Sequence, residues 1–195
     1  MDNGASLINL DPDSDIIYYP NFLETVEADF YFDYLRENIP WQQDSITLFG
    51  KTFLQPRLTA LYGPKSYSYS GITMFPHPYS KELELISEKT EMLTKVAFNT
   101  CLLNLYRDGR DSNGWHSDNE KELGKNPIIA SISLGQARHF HLKHRYIKEH
   151  KHKILLGHGS LLLMQGSTQH YWLHQIPKTT KPIGERINLT FRVIR

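Results

Sequence analysis

The pattern of apolar and polar residues changes character near residue 100. Before that point, two stretches carry apolar residues at helical spacing. Val26, Phe30 and Leu35 predict a helix from Phe22 to about Asn38, closed by Pro40. Ser80 is placed to cap a second helix running to about Ala97, with Leu83, Ile86, Leu93, Val96 and Ala97 as its apolar stripe. Glu82, Glu84, Glu88 and Lys89 give that helix a solvated face. Between the helices, residues 44–79 read as short strands punctuated by Gly50, Gly63-Pro64, Gly71 and Pro76. From Thr100 onward the period shortens to two. Strands are expected over 101–107, 127–134, 137–144, 153–156, 160–164, 171–176 and 187–194. Two helices followed by many strands predict a mainly β protein with supporting helices, a sandwich or squat barrel. The first twenty residues form an arm kept wet by Asp2, Asp11, Asp13 and Asp15, in which Ile16 to Tyr19 can add an edge strand.

Composition sharpens this picture in two places. The chain has 195 residues and a net charge of only +1, but the charge is divided. Residues 1–50 hold ten acidic residues and one basic one, Arg36, giving −9; the remainder hold eleven acidic and twenty-one basic residues, giving +10. The basic excess concentrates in Arg138, Lys143, Arg145, Lys148, Lys151 and Lys153, against Glu149 alone. A near-neutral total therefore does not exclude a polyanionic partner. The single cysteine, Cys101, rules out an intrachain disulfide framework and an all-cysteine metal site. No basic start followed by an apolar run suggests a signal peptide, and no run is long enough for a membrane span.

Candidate chemistry begins at Gly114-Trp115-His116-Ser117-Asp118. On an extended segment His116 and Asp118 point the same way, offering a nitrogen and a carboxylate to one divalent metal. A third ligand must come from elsewhere, and His174, in the aromatic run Tyr171-Trp172-Leu173-His174, is the best candidate. Two histidines and a carboxylate on one face of a metal leave the opposite face open, which suits non-haem iron. A second pattern lies near the C-terminus, where Arg186, Asn188, Thr190 and Arg192 alternate with Ile187, Leu189 and Phe191. Two guanidiniums turned into a barrel are costly unless an anion meets them, and a dicarboxylate matches their geometry. An exposed edge strand with solvated arginines is the competing reading. Asn104 and Tyr106 share a face of the strand that begins at Cys101 and can hydrogen-bond the same small acid.

Asn104-Leu105-Tyr106, Gly114 through Glu120, Ile129 through Gly135, His158 through Leu162 and Arg186 through Arg192 occur in this order. Together they resemble the AlkB family of Fe(II)/2-oxoglutarate-dependent nucleic-acid dealkylating dioxygenases, over roughly residues 40–195. The resemblance implies a double-stranded β-helix, or jelly-roll, core with an N-terminal substrate-recognition lid. It divides one integrated domain into an acidic arm and first helix (1–40), a lid with its supporting helix (41–99) and a catalytic core (100–195). It implies His116, Asp118 and His174 as iron ligands and sets aside His170, four residues before His174. It implies Asn104, Tyr106, Arg186, Asn188 and Arg192 as the 2-oxoglutarate set, with Arg192 on the distal carboxylate supported by Tyr106. It implies O2 as the cosubstrate.

Substrate contacts follow from the same resemblance. Gln55 through Gly63 matches a recognition strand, with Arg57 in it and Tyr62 toward the base. Trp115 and Glu120 fall near the substrate, Arg138 at a position that organises the pocket, and Phe49, before Gly50-Lys51, at a hairpin that can wedge a base stack. The expected partner is methylated DNA, single- or double-stranded, with RNA as the alternative. No membrane and no obligate protein partner is expected, and the size suits a monomer. The expected compartment is the cytoplasm or nucleoid of a bacterium, or a eukaryotic nucleus. A zinc hydrolase can use the same three ligands but has no need of the arginine array. A non-catalytic nucleic-acid-binding jelly roll has no need of the metal ligands.

Overall fold

The computed structural model describes residues 4–8, 10, 12–48, 51–64, 67–69 and 72–195. Asp2, Asp11, Phe49, Gly50 and Gly71 lie outside the described residues.

Two short strands, β1 (Ser6–Ile8) and β2 (Asp15–Tyr19), lead into helix α1 (Thr25–Asn38). The hairpin β3 (Ser45–Leu48) and β4 (Lys51–Leu54) is followed by β5 (Leu58–Tyr62). A second hairpin, β6 (Tyr67–Tyr69) and β7 (Ile72–Met74), leads to helix α2 (Lys81–Thr94). The rest is β8 (Thr100–Tyr106), β9 (Asn113–His116), β10 (Ile129–Gly135), β11 (Arg138–His144), β12 (Lys151–Leu156) and β13 (Ser160–Gln165). One turn of helix, α3 (Thr168–Tyr171), then precedes β14 (Trp172–Ile176) and β15 (Arg186–Arg192).

The strands assemble into a seven-stranded sheet in the order β1-β2-β13-β10-β15-β8-β5 and a four-stranded sheet in the order β12-β11-β14-β9. All pairings within them are antiparallel. This is the jelly roll expected from the sequence, with the two long helices α1 and α2 packed in one layer on the large sheet. The arm is tied in, because β2 pairs with β13. β5, from the segment expected to form a lid, is the last strand of the large sheet.

Burial explains why these strands read as they do. The large sheet is covered on both faces. Toward the helices, Leu103, Leu105, Ala130, Ile132, Leu161, Ile187, Leu189 and Phe191 pack with Leu35, Leu83 and Ile86. Toward the small sheet, Leu102, Tyr106, Ile129, Leu162 and Met164 pack with Phe140, Leu142, Trp172 and Ile176. Strand β15 therefore has all seven positions buried. It is central, between β10 and β8, so the edge-strand reading of Arg186–Arg192 fails.

The helices form where expected, with three differences, the first being that α1 begins at Thr25 rather than Phe22. Ser80 caps α2, its hydroxyl accepting the Leu83 N–H at 3.3 Å. The helix ends at Thr94 rather than near Ala97, because Lys95 turns to φ 61° and its N–H closes on the Glu91 carbonyl. In α1 the buried face is Ala28, Tyr31 and Leu35, while Val26 is 83% exposed and Phe30 57%. Helix α1 lies close against β10 because Gly135, at φ +79°, carries no side chain. A Cβ there would sit 2.5 Å from the Phe32 ring and 2.6 Å from the Glu185 carbonyl oxygen.

Candidate active site

Between the two sheets lies a tight cavity whose walls come from both. Its chemistry follows from strand alternation. On β15 the apolar positions face the helices, so Arg186, Asn188, Thr190 and Arg192 face inward. β8 pairs with β15 in register, Tyr106 opposite Arg186 and Asn104 opposite Asn188, so these two also line the cavity. From the small sheet, His116 at the end of β9 is the cross-strand partner of His174 on β14. Asp118 lies two residues past the end of β9 and turns back toward them.

The ligand atoms of His116, Asp118 and His174 all lie within 4.8 Å of one another, the one such cluster among the described residues. Asp118 and His174 are buried and His116 half-buried. His116 Nδ1 lies 2.7 Å from the Gly114 carbonyl oxygen. A carbonyl only accepts, so Nδ1 carries the proton and Nε2 keeps its lone pair for a metal. The His174 ring is stacked on Phe140, with centroids 5.0 Å apart. Burial, reinforced by His116 and partly opposed by Asp118, pushes the His174 pKa down to about 3. Burial also lowers that of His116, against the pull of Asp118. For Asp118 burial works in the raising direction, but Arg192 and the two histidines outweigh it and hold the carboxyl below its usual range. Two neutral imidazoles and an ionised carboxylate form the donor set of a facial-triad metal site.

The arginine array differs from its expected use in one respect. Arg192 Nη2 donates to Asp118 Oδ1 at 2.8 Å, which puts its head at the metal end of the cavity rather than at a distal carboxylate. Arg186 sits against Tyr106 instead, its guanidinium carbon 5.1 Å from the ring centroid. One Arg186 nitrogen, Nη2, donates to Ser133 Oγ at 2.9 Å. Nε and Nη1 are buried without an acceptor, and burial lowers the Arg186 pKa to about 10. A carboxylate reaching these two nitrogens would meet both, so the residues present fit a dicarboxylate, one carboxylate of which Arg186 and Tyr106 would hold. Asn188 is fixed by Ser131 Oγ at 2.8 Å and the Ile132 carbonyl at 3.0 Å.

The expected substrate contacts divide. Arg57 reaches the cavity wall, its Nε donating to Asn104 Oδ1 at 2.7 Å. Tyr62 does not reach it. It pairs with Cys101, whose face of β8 packs toward the helices, and is buried beside His77 and Tyr79. Trp115 is on the outer face of the small sheet, 40% exposed, with the Lys143 ammonium 4.3 Å from its ring centroid. Glu120 is half-buried at the start of a 3-10 turn, off the cavity wall. Arg138 is buried behind Tyr106, where it holds the carbonyls of Asp111 and Pro177 at 3.1 and 2.7 Å. Its position in β11 faces inward with Phe140 and Leu142, so it braces the wall from behind and does not line the cavity.

Sequence reasoning missed other residues at the site. Ser131 and Ser133 anchor Asn188 and Arg186, and their alternation with Ile132 on β10 was a readable signal. Gln169 is fully buried, and its Oε1 accepts the Asp118 N–H at 2.9 Å. No local pattern announces it, since it acts from a four-residue helix fifty-one positions away.

The sequence profile of the 2OG-Fe(II) oxygenase superfamily matches residues 15–192. The human alpha-ketoglutarate-dependent dioxygenase alkB homolog 3 is 41% identical over 202 residues, covering 98% of this chain and 71% of that protein. The chain belongs to the AlkB family of 2OG-Fe(II) oxygenases. An Arabidopsis thaliana relative in the AlkB family, a DNA oxidative demethylase ALKBH2, is 38% identical, covering 96% of this chain and 68% of that one. The solved structure of OsALKBH1 superposes with a TM-score of 0.68 at 18% identity, over 96% of this chain and 100% of that chain, a likeness of fold. AlkB membership and the histidine–aspartate–histidine triad together make this chain an Fe(II)/2-oxoglutarate-dependent dioxygenase.

Proposed function

We propose that this dioxygenase demethylates N-alkylated nucleobases in DNA, with 1-methyladenine and 3-methylcytosine as substrates, as a direct-reversal repair enzyme. The observation that carries the reading is the single cavity in which a facial triad and a doubly open buried arginine face one another. His116, Asp118 and His174 would hold iron(II). Arg186, Tyr106, Asn104 and Asn188 would hold 2-oxoglutarate. When bound, iron and 2-oxoglutarate activate O2 to hydroxylate the N-methyl carbon, with succinate, CO2 and formaldehyde as products.

The chain's own part is positional. Arg192 keeps Asp118 ionised and fixes one of its oxygens. Gln169 fixes the Asp118 backbone. Arg57 ties the segment before β5 to Asn104, and through the Ser112 carbonyl at 3.3 Å to the entry of β9. The apolar walls, Leu102, Phe140 and Met164, limit water. A base must leave its stack to enter so enclosed a site. A nucleic-acid substrate is further supported by the outer face of the small sheet. There strand alternation places His139, His141 and Lys143 beside Lys151 and Lys153, a basic surface suited to phosphates.

The test presents matched methylated single- and double-stranded DNA and RNA with iron(II), 2-oxoglutarate, O2 and ascorbate. Mass spectrometry should record loss of the methyl group from DNA, and His116→Ala or Asp118→Ala should abolish it. Methyl loss from RNA alone would move the substrate to RNA. Succinate formation without methyl loss on any strand would overturn the nucleobase reading.

A further inference from the structure

A second opening adjoins the Asp118 loop, with Asn119 on its wall. It is an open cleft of about 650 Å³. Lys125 and Arg145 stand on its walls, with Asn119, His170, Tyr146 and Tyr171, and among the described residues no carboxylate lines it. Asp13 is close by, but its carboxylate is directed at His144, 3.7 Å from Nε2.

The Arg145 bank is built rather than loose. Arg145 Nη2 donates to Ser117 Oγ at 2.6 Å, beside the metal ligand Asp118, and its N–H donates to the Tyr171 carbonyl at 2.7 Å. His144, buried and stacked on Tyr171, accepts the N–H groups of Tyr146 and Ile147 on Nδ1 at 3.2 and 3.1 Å. That fixes the turn presenting Arg145 and Tyr146. The opposite bank is pinned where His170 Nε2 meets Asn126 Oδ1 at 2.9 Å. Yet Tyr146 at the rim is 74% exposed. An exposed ring beside a fixed guanidinium, in a cleft that Lys125 also lines, is an arrangement that gains by stacking a base while the cations take its phosphates.

We propose that this cleft is a subsite for a nucleotide flanking the reacting one, with its phosphodiester between Lys125 and Arg145 and its base on Tyr146. The inference rests on the nucleic-acid reading above and adds where the strand runs next to the metal loop. The contacts use phosphate charge and a π face, so the subsite is indifferent to base identity.

The experiment is fluorescence anisotropy of a fluorescein-labelled, unmethylated single-stranded DNA oligonucleotide with the full chain, titrated at several salt concentrations. Tyr146→Ala should weaken binding about tenfold, and Tyr146→Phe should restore it. On an abasic oligonucleotide wild type and Tyr146→Ala should bind alike. Lys125→Gln should lower the slope of log affinity against log salt by about 0.7. Unchanged thermal midpoints keep the variants comparable, since both side chains are exposed. Wild-type affinity and slope in Tyr146→Ala and Lys125→Gln would overturn the subsite. So would an equal loss on the abasic strand. If methyl removal is seen but these variants bind as wild type, the subsite fails and the demethylase reading stands. If binding depends on Tyr146 and Lys125 but no strand loses a methyl group, the substrate reading fails and the subsite stands.

Discussion

Arg186 shows at one residue how a binding site differs from a stable core. The side chain is 1% exposed, stacks on Tyr106, and leaves Nε and Nη1 without acceptors. A buried, incompletely paired cation costs stability unless a ligand completes it. Arg186→Met keeps most of the stem's packing and removes the charge. The ligand-free variant should therefore be as stable as wild type or more so, by roughly 1–4 kcal/mol. In wild type with a redox-silent divalent ion, 2-oxoglutarate at a hundred times its Kd should add about 2.7 kcal/mol, a rise of roughly 5–10 °C in Tm for a chain of this size. That rise should vanish in Arg186→Met. Differential scanning fluorimetry with and without the acid decides it. A ligand-free Tm several degrees below wild type would mean that the guanidinium is structural.

At the scale of elements, the two helices and most strand positions could be read from period alone, but the facing of α1 could not. Val26 and Phe30 are apolar yet stand exposed, while Ala28, Tyr31 and Leu35 are buried. Leu35→Ala should cost about 2–5 kcal/mol in urea unfolding, and Val26→Ser should stay within about 0.5 kcal/mol. The reverse order would mean that the helix is rotated. Apolar character is a one-way guide to burial, which is why the stripe misleads. β15 was legible because its apolar and polar residues alternate strictly and both faces are buried, so chemistry and packing separate by parity. The resemblance turns Tyr62 toward the base, but a sequence match does not show which face of the sheet a residue takes. The pairing of Tyr62 with Cys101 assigns that face to the helices, and such pairing is fixed by the whole sheet. Gln169 and the head of Arg192 depend on contacts between segments far apart in the chain, which no window of sequence contains.

For the whole molecule, burying a metal site before the metal arrives sets the response to acid. His174 titrates near 3 and His116 below its ordinary value, both chiefly through burial. In the unfolded chain both return to about 6.5. Below that pH the unfolded state binds protons that the folded state refuses, so stability is fully present above about pH 6.5 and falls as pH drops toward 3. Each histidine contributes a slope of up to about 1.4 kcal/mol per pH unit in that window. Asp118 has the same sign but acts only below about pH 4, where an unfolded carboxylate takes up its proton. Urea unfolding of the metal-free chain should therefore give a flat free energy from pH 8 to 7 and a decline setting in near 6.5. His174→Gln removes the group held down to about 3 and should flatten the decline between pH 6 and 4.5. A wild-type profile level down to pH 5, or an unchanged slope in His174→Gln, would show that the imidazoles accept protons inside the fold. At neutral pH the folded site presents its ligands already deprotonated. Metal uptake there should release no protons from the two histidines, which a weakly buffered titration with a divalent ion and a pH indicator measures directly.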